Sequence, residues 1–208
     1  MIETLGLVPW ETAWPYIFAT FFASYFLGSI PFGLIFARIA GAGDIRKIGS
    51  GNIGATNVLR TGKRWAAAAT LFCDGAKGFL AVWYAGEKFG IQFFPVLAGF
   101  GVFLGHLYPV WLRFKGGKGV ATFIGIVFAL ASPVGLLVCV SWLGLAQIFR
   151  YSSVAALIST ALTPFYFLFL GATLFALLTF ILVALIFISH RTNIGRLIRG
   201  DEPKIGAR

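Results

Sequence analysis

The chain has 208 residues, of which 59% are hydrophobic and only 12% charged, with 23 phenylalanines carrying most of the aromatic share, a composition outside that of soluble domains. Its formal net charge of +10 would suit a nucleic-acid binder if the cations were pooled on one soluble face. They fall instead between long apolar runs, so no nucleic-acid partner is predicted.

In chain order the apolar stretches run over about 14–39, 65–85, 92–112, 120–131, 134–149, 154–170 and 172–189. The first lacks the basic, short apolar, small-residue plan of a cleaved signal peptide and is predicted to be retained. The fourth and fifth are short for a hydrocarbon core of ~30 Å and are divided only by Ser132-Pro133. One kinked helix there is the competing reading, and five spans the fallback. Pro31 and Pro164 are predicted to bend their helices, because each removes a backbone donor and crowds the preceding turn. Cys73 and Cys139 fall inside spans, where a thiol packs as a small hydrophobe, and they say little about compartment. The predicted fold is all-α: a polytopic membrane helix bundle of seven transmembrane helices, forming one domain over residues 1–208.

Placing the C-terminus in the cytoplasm and the N-terminus outside puts the segments 41–64, 113–119, 150–153 and 190–208 on the inner side. All other lysines and arginines then lie there or at the inner end of the first span; the exceptions are Lys77, within the second stretch, and Lys88, outside. That asymmetry follows the positive-inside rule and needs an odd number of spans. Trp10, Trp14, Trp65, Trp83, Trp111 and Trp142 sit near span ends, as interfacial anchors do, with bundle core as the other reading for each. No internal repeat of the transporter kind is evident.

The first inner segment, DIRKIGSGNIGATNVLRTGKR, interleaves Gly49, Gly51 and Gly54 with Ser50, Asn52, Thr56 and Asn57. Glycine permits left-handed backbone and close approach, so consecutive N–H groups can converge on phosphate oxygens while Arg60 grips two of them. A flexible linker with membrane-surface arginines is the bland reading. The second, RFKGGKGVAT, sets Gly116, Gly117 and Gly119 around Lys118 where the fourth span begins, and backbone N–H groups are expected to bind phosphate together with Lys118. The Walker A spacing is missing, which excludes a nucleotide-hydrolase loop. Arg113 and Lys115 serve equally well as headgroup anchors.

RYSS at 150–153 and HRTNIGRLIRGDEPKIG from His190 complete the inner face. Ser153 and Asn193 can donate or accept near a substrate hydroxyl. His190, like His106 in GHLYP, reads either as a base or as a hydrogen-bonded residue at a span end. Asp74 and Lys77 are spaced i,i+3 inside the second span, where ionisable groups are functional or form a self-satisfied pair; the second reading is preferred. Neither zinc spacing nor a carboxylate cage is present, and no metal or cofactor is predicted.

GSIPFG at 28–33, GSGNIGATNVLR at 49–60, GHLYPVWLRFKGGKGVAT at 105–122, RYSS at 150–153 and HRTNIGRL at 190–197, followed by Glu202, together resemble the acyl-phosphate:glycerol-3-phosphate acyltransferase family, PlsY. The resemblance implies a seven-helix enzyme of the bacterial inner membrane, with its active site at the cytoplasmic face. It would transfer a fatty acyl group from acyl-phosphate to the 1-hydroxyl of glycerol 3-phosphate, giving lysophosphatidic acid and inorganic phosphate as the first step of phospholipid synthesis. It further implies membrane lipids, and a peripheral enzyme that makes acyl-phosphate, as partners. Carried onto this chain, it implies as essential Ser50 and Arg60, Lys118 with Gly116, Gly117 and Gly119, and Ser153, His190, Asn193 and Glu202. With the loop residues read above, the expected catalytic set is His190, Asn193, Ser153 and Glu202, and the expected substrate-binding set is Ser50, Gly51, Asn52, Asn57, Arg60, Lys115, Gly116, Gly117, Lys118 and Gly119.

Two mechanisms remain open for such a site, with either His190 or a phosphate oxygen of the donor taking the hydroxyl proton. No Ser-His-Asp or Cys-His arrangement is evident, so direct transfer without an acyl-enzyme is expected. A small anion carrier would need polar residues continued through the bundle midplane, and here they collect on one side. A lipid-binding scaffold would show the same basic face without catalysis.

Overall fold

The computed structural model describes residues 10–206. The N-terminus, the Trp10 side chain and Arg208, on which parts of the orientation and anchoring expectations fall, lie outside the described residues. Every apolar stretch predicted from the sequence is helical, and no strand occurs among the described residues.

The first stretch divides into α1 (Trp10–Gly28) and α2 (Phe32–Ile39), with one 28-residue apolar span, Thr12–Ile39, running through both. Pro31 interrupts the hydrogen-bond ladder between them, and two side chains from elsewhere bond to carbonyls at the break. Trp111 Nε1 donates to Ser29 O at 2.6 Å and Lys77 Nζ to Ile30 O at 3.0 Å. A loop with a 3-10 turn over Ile45–Lys47 and the short α3 (Ala55–Leu59) leads into α4 (Arg64–Phe89) and α5 (Phe93–Leu107). A second 3-10 turn, Val110–Leu112, precedes α6 (Val120–Leu130) and α7 (Ser132–Phe149). Ala131, in extended backbone at φ −159° and ψ 102°, separates these as two helices where one kinked helix was the competing reading. Then come α8 (Ser152–Phe169), α9 (Thr173–Ser189) and α10 (Arg191–Arg199). Pro164 lies inside α8, which runs on through it.

Among the described residues four helical segments are long and apolar enough to cross a membrane, and α9 reaches that length only together with α10, across a 58° bend. The 26-residue α4 is long enough by length alone but carries Asp74 and Lys77 in its middle. Within lipid no hydrophobic force draws helices together, so close backbone contact does the work. Glycines provide it in two seams. A methyl added to Gly78 or Gly125 would strike the Thr122 or Gly75 carbonyl between α4 and α6, and one on Gly28 or Gly105 would strike Val102 or Tyr25 between α1 and α5. Val82, Val102, Phe103, Phe123, Ile126, Leu182 and Ile186 fill the core where α4, α5, α6 and α9 meet. Cys73 and Cys139 are unbridged.

Candidate active site

The loops that join these helices at one end of the bundle form a single connected patch. Thr56 Oγ1 lies 3.5 Å from Ser152 Oγ, bringing the first loop to the start of α8. Ser189 Oγ donates to Lys118 O at 3.3 Å, and Lys118 Nζ donates to Asn193 Oδ1, tying the second loop to α9 and α10. Ile205 N donates to Arg150 O at 2.6 Å, strapping the tail across the α7–α8 turn.

Within the first loop Asn57 is the hub. Buried at 2% exposure, it accepts from Ser50 N at 3.1 Å and lies 3.4 Å from Ser50 Oγ. Its amide donates to Ile45 O and Asn52 O, both at 2.8 Å. Asn52 Oδ1 in turn accepts from Gly54 N at 2.8 Å. Asn57 is therefore engaged within the loop, and the Gly51 N–H donates to Ile48 O. Gly49 has φ +55°, and a methyl there would come 2.6 Å from Asn57 Oδ1 and 3.0 Å from Arg60 Cδ, so the arginine side chain crosses directly over it. Arg60 itself is exposed.

The second loop departs from the expected arrangement. The Gly116 and Gly117 N–H groups, expected to turn toward phosphate, donate instead to Leu107 O and His106 O at 3.0 Å each. Both glycines permit close packing, since a Cβ on Gly117 would enter the His106 ring. The first turn of a helix leaves N–H groups without intrahelical partners, so the free donors beside Lys118 belong to Val120 and Ala121. Gly119, at φ +84°, is the left-handed residue that starts α6. Lys115 points to solvent with its side chain exposed.

The third and fourth segments interlock. Glu202, 8% exposed, accepts at Oε1 from Ser153 Oγ at 2.7 Å and Asn193 Nδ2 at 2.6 Å, and at Oε2 from Arg196 Nε at 2.7 Å. Burial alone would raise this carboxyl, but the bonds from Asn193, Ser153 and Arg196 outweigh it and hold the group below its ordinary value. Asn193 thus relays between the Lys118 ammonium and the Glu202 carboxylate. Burial, aided by the nearby Arg196 and Arg60 charges and opposed by Glu202, pushes Lys118 down to about 8. Arg60, Lys118 and Arg196 therefore share one field, with one carboxylate among them.

His190 sits at the α9–α10 bend, 3% exposed. Its Nδ1 lies 2.8 Å from Ile186 O. A carbonyl can only accept, so Nδ1 carries the hydrogen and Nε2 keeps a free lone pair. Burial and the Lys118 charge push its pKa down to about 4, leaving a neutral imidazole with an acceptor nitrogen at neutral pH. Sequence reasoning treated Arg196 only as one of the inner charges. It also gave no sign of the Thr56–Ser152 contact or of His106 behind Gly117, because nothing in residue spacing links those positions. Among the described residues no three His, Cys, Asp or Glu side chains gather as a metal site.

An all-helical integral membrane bundle with a buried, cation-rich polar site at one end is the architecture of a membrane-bound enzyme acting on phosphorylated substrates. The chain belongs to the glycerol-3-phosphate acyltransferase family of the PlsY type, whose family model matches residues 18–200. It is 56% identical over 187 residues to a glycerol-3-phosphate acyltransferase of Mesorhizobium japonicum, covering 88% of this chain and 93% of that one. It is 50% identical to one of Jannaschia sp., covering 99% and 97%. The solved structure of PlsY, an integral membrane glycerol 3-phosphate acyltransferase, in its glycerol 3-phosphate form superposes with a TM-score of 0.88 at 38% identity, over 92% of this chain and 96% of that one. Its lysophosphatidic acid form gives 0.82 at 36% identity, over 91% and 94%.

Proposed function

We propose that this acyltransferase takes acyl-phosphate as its donor and acylates the 1-hydroxyl of glycerol 3-phosphate. Lysophosphatidic acid and inorganic phosphate are the products, formed at the cytoplasmic face of the bacterial inner membrane. The observation that supports this most is the joining of three separate segments into one network, Lys118–Asn193–Glu202–Ser153, with the first loop against it at Thr56 and with Arg60 and Arg196 in the same field. Two phosphorylated reactants repel each other, and fixed cations aimed at them are the physical remedy.

In this reading one phosphate lies against Arg60 and the Ser50–Gly51 turn, which Asn52 and Asn57 hold in shape. The other lies against Lys118 and the N-terminus of α6, where Gly116, Gly117 and Gly119 set the loop's course. Seven helical passes place both cradles inside, with the charges of α4 satisfied within the bundle. The hydroxyl oxygen attacks the acyl carbonyl carbon, the bond from that carbon to the phosphate oxygen breaks, and phosphate departs with the electron pair. His190 Nε2 accepts the hydrogen bond of the attacking hydroxyl. With its pKa at about 4, it is a weak base, which favours final delivery of the proton to a phosphate oxygen. Glu202 and Ser153 hold Asn193, and through it Lys118, in place.

Purified protein incubated with acyl-phosphate and glycerol 3-phosphate should release phosphate and form lysophosphatidic acid. Product from acyl-CoA or acyl carrier protein thioester, with none from acyl-phosphate, would overturn the donor assignment. A His190→Ala variant whose turnover falls only several-fold while KM for glycerol 3-phosphate rises would place His190 in orientation of the acceptor; a collapse of kcat at unchanged KM would restore it as the base.

A further inference from the structure

Three ionisable side chains outside the site lie buried together in the bundle: Asp74 at 4% exposure, Lys77 at 2% and His106 at 5%. Lys77 Nζ is 2.8 Å from Asp74 Oδ1, and His106 Nδ1 is 3.6 Å from the same oxygen. Charges inside a membrane bundle are costly and persist where something depends on them. Mutual neutralisation accounts for the pair alone. It does not account for the two other contacts the cluster makes.

On one side Lys77 Nζ donates to Ile30 O at 3.0 Å, joining the Phe32 N–H on that carbonyl at the break beside Pro31. On the other side the His106 ring backs directly onto Gly117, and His106 O accepts the Gly117 N–H at 3.0 Å. The residue after Gly117 is Lys118. A second strut runs parallel, since Trp111, at the head of the same loop, donates to Ser29 O at 2.6 Å. Between these struts the chain reverses through two non-glycine residues in left-handed backbone, Arg113 at φ 52° and Phe114 at φ 60°, a conformation that persists only where surroundings enforce it.

We propose that Asp74, Lys77 and His106 are positioning residues: a buried polar strut that runs from the break in the first span to the back of Gly117 and fixes where the Lys118 ammonium stands. Asp74 pairs with Lys77, which reaches the helix break, and lies beside the His106 ring, which meets the loop by packing on Gly117 and by its carbonyl. Gly117 is glycine because the ring occupies the space of a side chain. The strut touches no substrate and acts through the loop it braces, so displacing it misplaces a phosphate-binding cation; small errors of that kind are expensive in catalysis.

This inference rests on Lys118 serving a phosphate site, and its test uses one readout independent of turnover. Lys118 reactivity toward an acylating amine reagent, followed by mass spectrometry against pH in detergent-solubilised full-length protein, should give a midpoint near about 8 in the wild type. His106→Ala should move that midpoint and lower kcat/KM for glycerol 3-phosphate by roughly tenfold or more, and His106→Asn, which retains a donor near Asp74, should recover part of both. Gly117→Ala should show the same loss by colliding with the ring, and Gly117→Ala with His106→Ala should be no worse than either alone, because removing the ring makes room for the methyl. The charge-neutral double variant D74N/K77M guards against an uncompensated buried charge and should also shift the midpoint.

Multiplicative losses in the Gly117/His106 double variant would overturn the proposal. So would variants that lower the folded fraction while KM and the Lys118 midpoint stay at wild-type values. A Lys118 midpoint that shifts in His106→Ala, together with a wild-type protein that makes no lysophosphatidic acid, would leave the strut standing and defeat the functional reading instead.

Discussion

The two glycine-rich loops read alike in sequence and are built on opposite plans. The first, from Gly49 to Arg60, is self-supporting: Asn57 ties Ser50, Asn52 and Ile45 together, and one exposed arginine leans over the result. The second, from Arg113 to Gly119, is supported from outside. Its glycine N–H groups are taken by the last turn of α5, and Lys118 is held by α10 and the tail through Asn193 and Glu202. A self-supporting loop responds to changes in its own hub. A braced loop responds to residues far away in sequence.

The largest expected effect is at Lys118. Lys118→Ala should lower kcat by about 10²–10³-fold, the typical loss for one preorganised charge-stabilising donor, measured by phosphate release from acyl-phosphate. In the first loop, Asn57→Ala removes the partner of the Ser50 N–H and of the Asn52 carbonyl, at a cost of about 1–3 kcal/mol. It should appear chiefly as a lower Tm in detergent, together with a raised KM. Equal effects of the two substitutions on both Tm and kcat would erase the contrast between a stability hub and a functional cation.

Two charge variants sharpen the comparison through pH. Lys118 must be protonated to hold a phosphate dianion, so kcat/KM should fall as pH rises through a value near about 8. Glu202 holds the Lys118 pKa up, so Glu202→Gln should move that alkaline limb to lower pH. Arg60 holds it down, so Arg60→Met should move the limb to higher pH, whatever it does to absolute rate. Limbs that stay put in both variants would separate the two loops electrically. The smallest effect is expected at Lys115, which is exposed: Lys115→Ala should change kcat/KM by less than about threefold at physiological salt, where surface charges are screened.

Helix content was largely legible. Long apolar runs in a chain this poor in charge have few alternatives, and each predicted stretch is helical, down to the separation of 120–131 from 134–149. Span number is less plain, because α4 buries an ion pair in mid-helix and α6 has only 11 residues. Within the site, Lys118, Ser153, His190 and Asn193 stand out in sequence as polar groups near the ends of apolar runs, Glu202 only through the family resemblance, and the structure gathers them. Gly116 and Gly117 were legible as special but not for the right reason. Glycine signals either free N–H groups or close packing, and only the position of the His106 ring decides between them.

Sequence alone determined that the chain lives in a membrane, where its helices lie, and which short basic loops are the candidates for holding phosphate, because each follows from local composition and spacing. The tertiary structure decided which of those loops meet. It turned Glu202, in a tail with no periodicity of its own, into the carboxylate that holds Asn193 and Arg196, and it turned a mid-helix Asp–Lys pair into a neighbour of the lysine loop. Such meetings depend on glycine seams that set helix against helix to within a methyl group, and one-dimensional spacing carries no record of that distance.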